Sequence, residues 1–160
     1  MGKPAARILD MTAHGSPLSV GPGSMNVWIG KRPAWRGITA AQAVQLAQKI
    51  AEGAKKIADA AAVVTAAAGT PASAAAVTDF NKTVFDAAAD AAALMGSFMA
   101  DLHTCPIVKL VVPDGAGVVI NGSQTVLING LSACRIGDII QETTCVNSIV
   151  MGEMTVLVGG

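Results

Sequence analysis

The sequence has few aromatic residues and no excess of charge of either sign. Its 160 residues include two Trp, three Phe and no Tyr, and eleven Lys and Arg balance eleven Asp and Glu. Because large aromatic side chains supply much of the buried area of a core, a chain poor in them needs a regular architecture, a metal or a partner. A net charge of zero excludes the positive surface expected of proteins that bind nucleic acid or anionic membranes.

Long hydrophobic runs are also missing. The first ten residues lack the apolar stretch of about 7–15 residues that a signal peptide needs. The charge-free segment 60–78 is interrupted by Gly69-Thr70-Pro71 and has few large aliphatic side chains, which excludes a membrane-spanning helix. We therefore expect synthesis in the cytoplasm without a signal peptide. In that compartment the three cysteines favour metal ligation or burial over disulfides.

Composition divides the chain into β-rich ends and an α-rich middle. Residues 1–37 and 101–160 are rich in Gly, Pro and β-branched residues in short alternating runs, which predicts short strands joined by turns. In residues 38–100, 24 of 63 residues are Ala, which is typical of helix. The sequence predicts a mainly β domain, 1–37 with 101–160, interrupted by an inserted α-helical hairpin over 38–100.

Helix signals define the two arms of this hairpin. Thr39 and Gln42 fit a capping box at the start of the first helix. Thr70 is predicted to cap the second helix, with Pro71 at its first position. Apolar stripes at 3–4 spacing predict antiparallel helices packed on each other, with a partner-binding groove as the alternative. The stripes are Ala43, Leu46, Ile50, Gly53, Ile57, Ala60 and Val64, then Val77, Phe80, Val84, Ala87, Ala91, Leu94 and Phe98.

The β-rich part repeats itself. Residues 23–36 align without gaps with 122–135, and 152–159 form a partial third copy. The second half of the unit recurs at residues 4–10, which match 132–138, and the insertion interrupts the middle copy at a turn. Three copies of one unit predict a pseudo-threefold domain in which each copy covers a face of the others.

Each Arg-x-x-Asp step of the repeat leads into residues that bind metals. The four predicted ligands are His14 after Asp10, His103 and Cys105 after Asp101, and Cys145 after Asp138. Two imidazoles and two thiolates suit a tetrahedral Zn²⁺ with no open position, which is a structural site. The alternative is that His14 is a solvated loop histidine and that the cysteines are small core residues.

Three further residues have side chains that can bind metals. Cys134 aligns with Ala6 and Trp35, which predicts a packing role, and Asp114 is a weaker oxygen ligand. Glu142 is predicted to lie on a solvated turn. The sequence has no persuasive Ser/His/Asp arrangement, no Gly-rich phosphate loop and no paired carboxylates beside a pocket signal, so we expect no enzyme.

Five segments carry a resemblance to a known family. They are PAARILDMTAHG (4–15), GSMNVWIGKRPAWR (23–36), DLHTCP (101–106), INGSQTVLINGLSACRIGD (120–138) and CVNSIVMGEMTVLVGG (145–160). These motifs resemble the PAAR-repeat family, proteins that tip the spike of bacterial type VI secretion systems and related contractile injection machines.

The resemblance implies a small pseudo-threefold cone with one zinc ion at its apex, held by His14, His103, Cys105 and Cys145. Some family members use a third histidine where this chain has residues 112–115, so it stays open whether Asp114 or Cys134 replaces one of these four ligands. The implied partners are a trimeric valine–glycine-repeat spike protein, one copy per trimer, an effector or adaptor, and transiently the target membrane. Delivery is outward from the bacterial cytoplasm or into a target cell. Two alternatives are a membrane-active effector acting through the Ala-rich hairpin and a zinc-dependent enzyme.

Overall fold

The computed structural model describes residues 2–19, 21–109 and 112–159, so the predicted domain limits at residues 1 and 160 lie outside the described residues. In these ranges the chain forms eleven strands and one pair of long helices, which confirms the predicted fold class. The elements are β1 Lys3–Ala5, β2 Trp28–Ile29, β3 Arg32–Pro33, β4 Arg36–Gly37, α1 Ala40–Ala67, α2 Ser73–Ser97, β5 His103–Lys109, β6 Val112–Val119, β7 Leu127–Ile128, β8 Leu131–Ala133, β9 Ile139–Glu142, β10 Val146–Ser148 and β11 Glu153–Val158.

The strands form several small antiparallel sheets. The largest has the order β10-β9-β6-β5, two smaller sheets pair β1 with β11 and β2 with β3, and a third has the order β4-β8-β7. Turn residues interrupt the strands at intervals of a few residues, so no sheet grows long. One example is the turn between β7 and β8, where Asn129 and Gly130 both adopt positive φ, as a two-residue hairpin of this type requires.

A closed ring of backbone hydrogen bonds joins the three repeats. The amide of Ala6 donates to the carbonyl of Cys134 at 2.8 Å, that of Trp35 to Ala6 at 3.0 Å, and that of Cys134 to Trp35 at 3.1 Å. The three residues occupy the same position in the aligned repeats. Each repeat therefore satisfies a backbone group of the next, and the predicted pseudo-threefold relation is confirmed.

Each repeat also contains a buried arginine–aspartate pair, and its arginine comes directly after the ring residue in the sequence. The backbone N–H and the guanidinium of the arginine both donate to the aspartate, whose side chain is fully buried. The pair in the middle repeat joins residues on either side of the inserted helices, so the insertion leaves the repeat intact. The pairs are Arg7–Asp10, Arg36–Asp101 and Arg135–Asp138, with backbone N-to-carboxylate distances of 2.9, 2.7 and 2.8 Å.

Two apolar layers meet at the ring. The central layer adds Leu18, Val119, Ile140 and Ile149 to the ring side chains, and all of these are buried. The second layer, on the side of the short strands, takes one alanine and one β-branched residue from each repeat. Its members are Ala5, Ala34, Ala133, Ile29, Ile128 and Val158.

The inserted residues form the predicted antiparallel hairpin. Thr39 and Gln42 make the capping box, with Gln42 N–H donating to Thr39 Oγ1 at 3.3 Å and Thr39 N–H donating to Gln42 Oε1 at 2.9 Å. Two details of the prediction are wrong. Val77 is 45% exposed, and Ala76 takes its place in the seam. The second helix begins at Ser73 rather than Pro71, because Ser73 N–H donates to Thr70 O at 3.1 Å and closes a tight turn before it.

The root of the hairpin shares a core with the β domain. On the helical side this cluster contains Ile38, Leu46, Met95, Phe98 and Ala100, and on the strand side Val118 and Leu131. The hairpin is therefore held by packing as well as by its two chain connections. Within the described residues, neither helix combines the length and the hydropathy needed to cross a bilayer.

Candidate metal centre

Glu142, at the end of β9, lies at the centre of a buried polar cluster. Its Oε2 is 3.3 Å from His14 Nδ1 and 2.9 Å from Cys145 Sγ. Its Oε1 accepts from Asn147 Nδ2 at 2.8 Å and lies 3.6 Å from His103 Nε2. The side chain has no exposed surface, so the prediction that Glu142 lies on a solvated turn is wrong.

Strand pairing explains the burial of Glu142. Residues two apart on a strand share a face, and Ile140 on the same face of β9 is fully buried in the central layer. Glu142 is in register with Gly117 of β6, and a Cβ at Gly117 would lie 2.9 Å from Glu142 Cγ. Glycine at this position therefore leaves the room that the inward-facing carboxylate occupies.

A second buried carboxylate, Asp114 of β6, approaches from the other side. Thr144 Oγ1 donates to its Oδ1 at 2.6 Å, while its Oδ2 lies 3.8 Å from His14 Nδ1 and 3.9 Å from Cys105 Sγ. Cys105 Sγ in turn is 3.6 Å from His14 Nδ1. One donor atom each from His14, Cys105, Asp114 and Glu142 lies within 4.8 Å of all the others.

The four ligands predicted from the sequence come together from distant parts of the chain. His14 and Cys105 belong to this group of four, while His103 and Cys145 contact Glu142 at its border. Cys134 lies elsewhere, in the central apolar layer, where its Sγ donates to Ser132 O at 3.8 Å. The sequence analysis missed Glu142, although its two-residue spacing from Ile140 was a usable signal.

Burial controls the protonation of two of these groups. It lowers the pKa of His103, which favours the neutral imidazole that binds metals. It raises the pKa of the Cys105 thiol, and the carboxylates of Glu142 and Asp114 add to this effect. A thiolate at Cys105 is therefore unfavourable until a cation compensates its charge.

The donor set fits a divalent cation. Zn²⁺ takes sulfur at about 2.3 Å and nitrogen or oxygen at about 2.0–2.2 Å, which makes the edges of a tetrahedron about 3.3–3.6 Å long. The distances from His14 Nδ1 to Cys105 Sγ, Glu142 Oε2 and Asp114 Oδ2 are 3.6, 3.3 and 3.8 Å. The His14 side chain is 21% exposed and both carboxylates are fully buried, so protein atoms enclose most of the site. Such an arrangement is suited to holding an ion.

One comparison with known proteins gives a match. A protein-family model described as the PAAR motif matches residues 111–160. The matched segment contains Asp114, Glu142 and Cys145, and it ends with the third repeat; His14 and Cys105 lie outside it. No curated protein matches the chain, and no solved structure matches it.

Proposed function

Because residues 111–160 match the PAAR motif, we propose that this chain caps and sharpens the trimeric valine–glycine-repeat spike of a type VI secretion system or a related contractile injection machine. The PAAR motif supports a role at the type VI spike tip. One chain with three quasi-equivalent repeats can meet each subunit of a trimer with a similar surface, which supports a stoichiometry of one copy per trimer.

The observation that carries this proposal is a threefold set of exposed apolar side chains, here named the base surface: Trp28, Leu127 and Leu157. They are 62%, 57% and 61% exposed, and they occupy equivalent positions in the three repeats. Each precedes a buried residue of the second apolar layer, so the three side chains project from the same side of the ring. Exposed apolar side chains in a symmetric arrangement are typical of a surface that is covered in an assembly.

We further propose that one Zn²⁺ ion stabilises the tip. His14 and Cys105 are the proposed ligands common to the sequence prediction and to the group of four. The sequence completes the set with His103 and Cys145, whereas the geometry offers Asp114 and Glu142. When bound, the ion holds together segments that are far apart in the chain, and its binding energy adds to the stability of the folded state.

The inserted hairpin is proposed to attach an effector or adaptor, or to leave that role to a separate protein. We also propose that the protein is not an enzyme, because four protein ligands would leave a bound ion no open position for a substrate.

The docking proposal is tested by capture with the trimeric spike protein. We expect one chain per spike trimer by light scattering. We also expect the triple variant Trp28→Ser, Leu127→Ser, Leu157→Ser to lose at least tenfold in affinity while its metal content stays unchanged. A matched control is Val44→Ser with Val63→Ser, because these hairpin side chains are 58% and 59% exposed. Unchanged binding of the triple variant, or lost binding of the control, would place the interface elsewhere.

A further inference from the structure

We propose that the ion in this chain is bound by two carboxylates, Asp114 and Glu142, together with His14 and Cys105. In this arrangement His103 and Cys145 stay outside the coordination shell; Cys145 hydrogen-bonds to Glu142, and His103 lies beside it. The inference rests on the metal centre proposed above and chooses between its two ligand sets. It assigns to the site a divalent first-row cation of intermediate softness, such as zinc or cobalt(II), bound through one nitrogen, one sulfur and two oxygens.

The first argument is how each carboxylate is held. In both, one oxygen is engaged by a neutral donor and the other faces the cluster. Glu142 Oε1 accepts from Asn147 Nδ2 at 2.8 Å, and its Oε2 faces His14. Asp114 Oδ1 accepts from Thr144 Oγ1 at 2.6 Å, and its Oδ2 faces His14 and Cys105. Ligating carboxylates are commonly oriented by hydrogen bonds of this kind.

The second argument is where His103 and Cys145 lie. His103 Nε2 is 3.3 Å from Ser16 Oγ and 3.6 Å from Glu142 Oε1, the oxygen that Asn147 also holds. Cys145 Sγ is 2.9 Å from Glu142 Oε2, a distance that fits a thiol donating to a carboxylate. Neither residue belongs to the group whose atoms all lie within 4.8 Å of one another. Both are placed to orient Glu142.

The third argument is charge. Glu142 and Asp114 are both fully buried, and they lie near the same His14 nitrogen. Buried carboxylates placed this close together are favoured by a cation between them, because it offsets the cost of removing them from water. A set of two histidines and two cysteines would leave both carboxylates buried beside the ion without ligating it.

The ligand count in the unaltered protein is the primary test. X-ray absorption of the full-length chain loaded with zinc is expected to show one sulfur and three nitrogen or oxygen ligands. Two sulfur ligands would overturn the proposal. Because this measurement uses no variant, it does not depend on whether a substituted chain folds. It is also independent of spike capture, so a failure of docking and a failure of this ligand assignment can be told apart.

Cobalt(II) titration of matched variants is the second test. Glu142→Gln and Asp114→Asn are expected to weaken cobalt binding at least tenfold and to shift the visible absorption bands. Cys145→Ser is expected to keep the thiolate-to-cobalt charge-transfer band at its full intensity, while Cys105→Ser abolishes it. A Cys145→Ser variant that loses half of this band, or a Glu142→Gln variant with wild-type affinity and bands, would overturn the proposal. Circular dichroism of each apo variant checks that the chain is folded.

Discussion

Removing the helical hairpin tests how the insertion is joined to the β domain. The structure requires that Ala100 be kept: a deletion of residues 38–99 leaves Arg36-Gly37-Ala100-Asp101, with the Arg-x-x-Asp spacing of the other repeats. Asp101 N–H donates to Arg36 O at 3.0 Å, so the two chain ends already meet in a turn. Deleting the whole predicted insertion, residues 38–100, would leave this turn one residue short.

The expected cost of the deletion follows from the shared core. Val118 is fully buried and Leu131 is 9% exposed, and both pack against hairpin residues that the deletion removes. Exposing a buried Val or Leu costs about 1.5–3 kcal/mol, so the loss is about 3–6 kcal/mol. Domains of this size are stable by about 5–15 kcal/mol, so we expect a folded but weakened protein that depends on its metal.

A shortened hairpin serves as the matched control. Gly53 and Ala87 face each other, since a Cβ at Gly53 would lie 3.2 Å from Ala87 Cβ. A variant lacking residues 54–86, closed by a short glycine loop, therefore keeps the whole shared core and should lose less stability than the deletion of residues 38–99. Urea denaturation of the three proteins in excess zinc measures the differences. Equal stability of the full deletion and the wild type, or equal loss in both variants, would refute the reasoning.

Two further predictions concern the metal and the backbone. Chelation of zinc is expected to lower the melting temperature by several degrees, because a ligand at 100 times its Kd stabilises the folded state by about 2.7 kcal/mol. Scanning calorimetry with and without chelator measures this shift. An unchanged melting temperature would contradict a structural ion. Met99 follows α2 with φ 60° and is 80% exposed, so Met99→Gly should raise stability by about 0.5–1 kcal/mol in thermal denaturation, with Leu9→Gly, at φ 67°, as a parallel case. A loss of stability in both glycine variants would show that their side chains contribute more than the strained backbone costs.

Local patterns were sufficient to predict the hairpin. The spacing of Leu46, Ile50 and Ile57 repeats within one helix, and the capping box at Thr39 needs only residues three apart. The error at Val77 has a physical cause: its neighbours are Ala on several sides, so the sequence offers no contrast between a seam and an exposed face. The repeats likewise predicted the pseudo-threefold relation, because aligned positions in such a structure must make equivalent contacts.

The metal cluster was harder to predict because its burial depends on contacts between distant segments. Glu142 has polar neighbours in sequence, Gln141 and Thr143, and nothing local shows that His14 lies beside it. Asp114 was predicted only as a weaker ligand, since it follows no Arg-x-x-Asp step. Strand register, which places Glu142 opposite Gly117, determines the site, and a single sequence does not reveal that register.

The ring of Ala6, Trp35 and Cys134 has three similar sides, but only one of them carries a hairpin. On a partner with true threefold symmetry, such a tip can be seated in three nearly equivalent rotations. Having three equivalent orientations favours assembly by about 0.6 kcal/mol, the value of RT ln 3. In a population of spikes, the hairpin would then occupy three different rotational positions about the spike axis. In electron microscopy of such spikes, averaging with imposed threefold symmetry would reduce the hairpin to one-third of its density. Reconstruction of the same images without imposed symmetry would restore the full density. Any cargo attached to the hairpin would share this rotational disorder from one spike to the next.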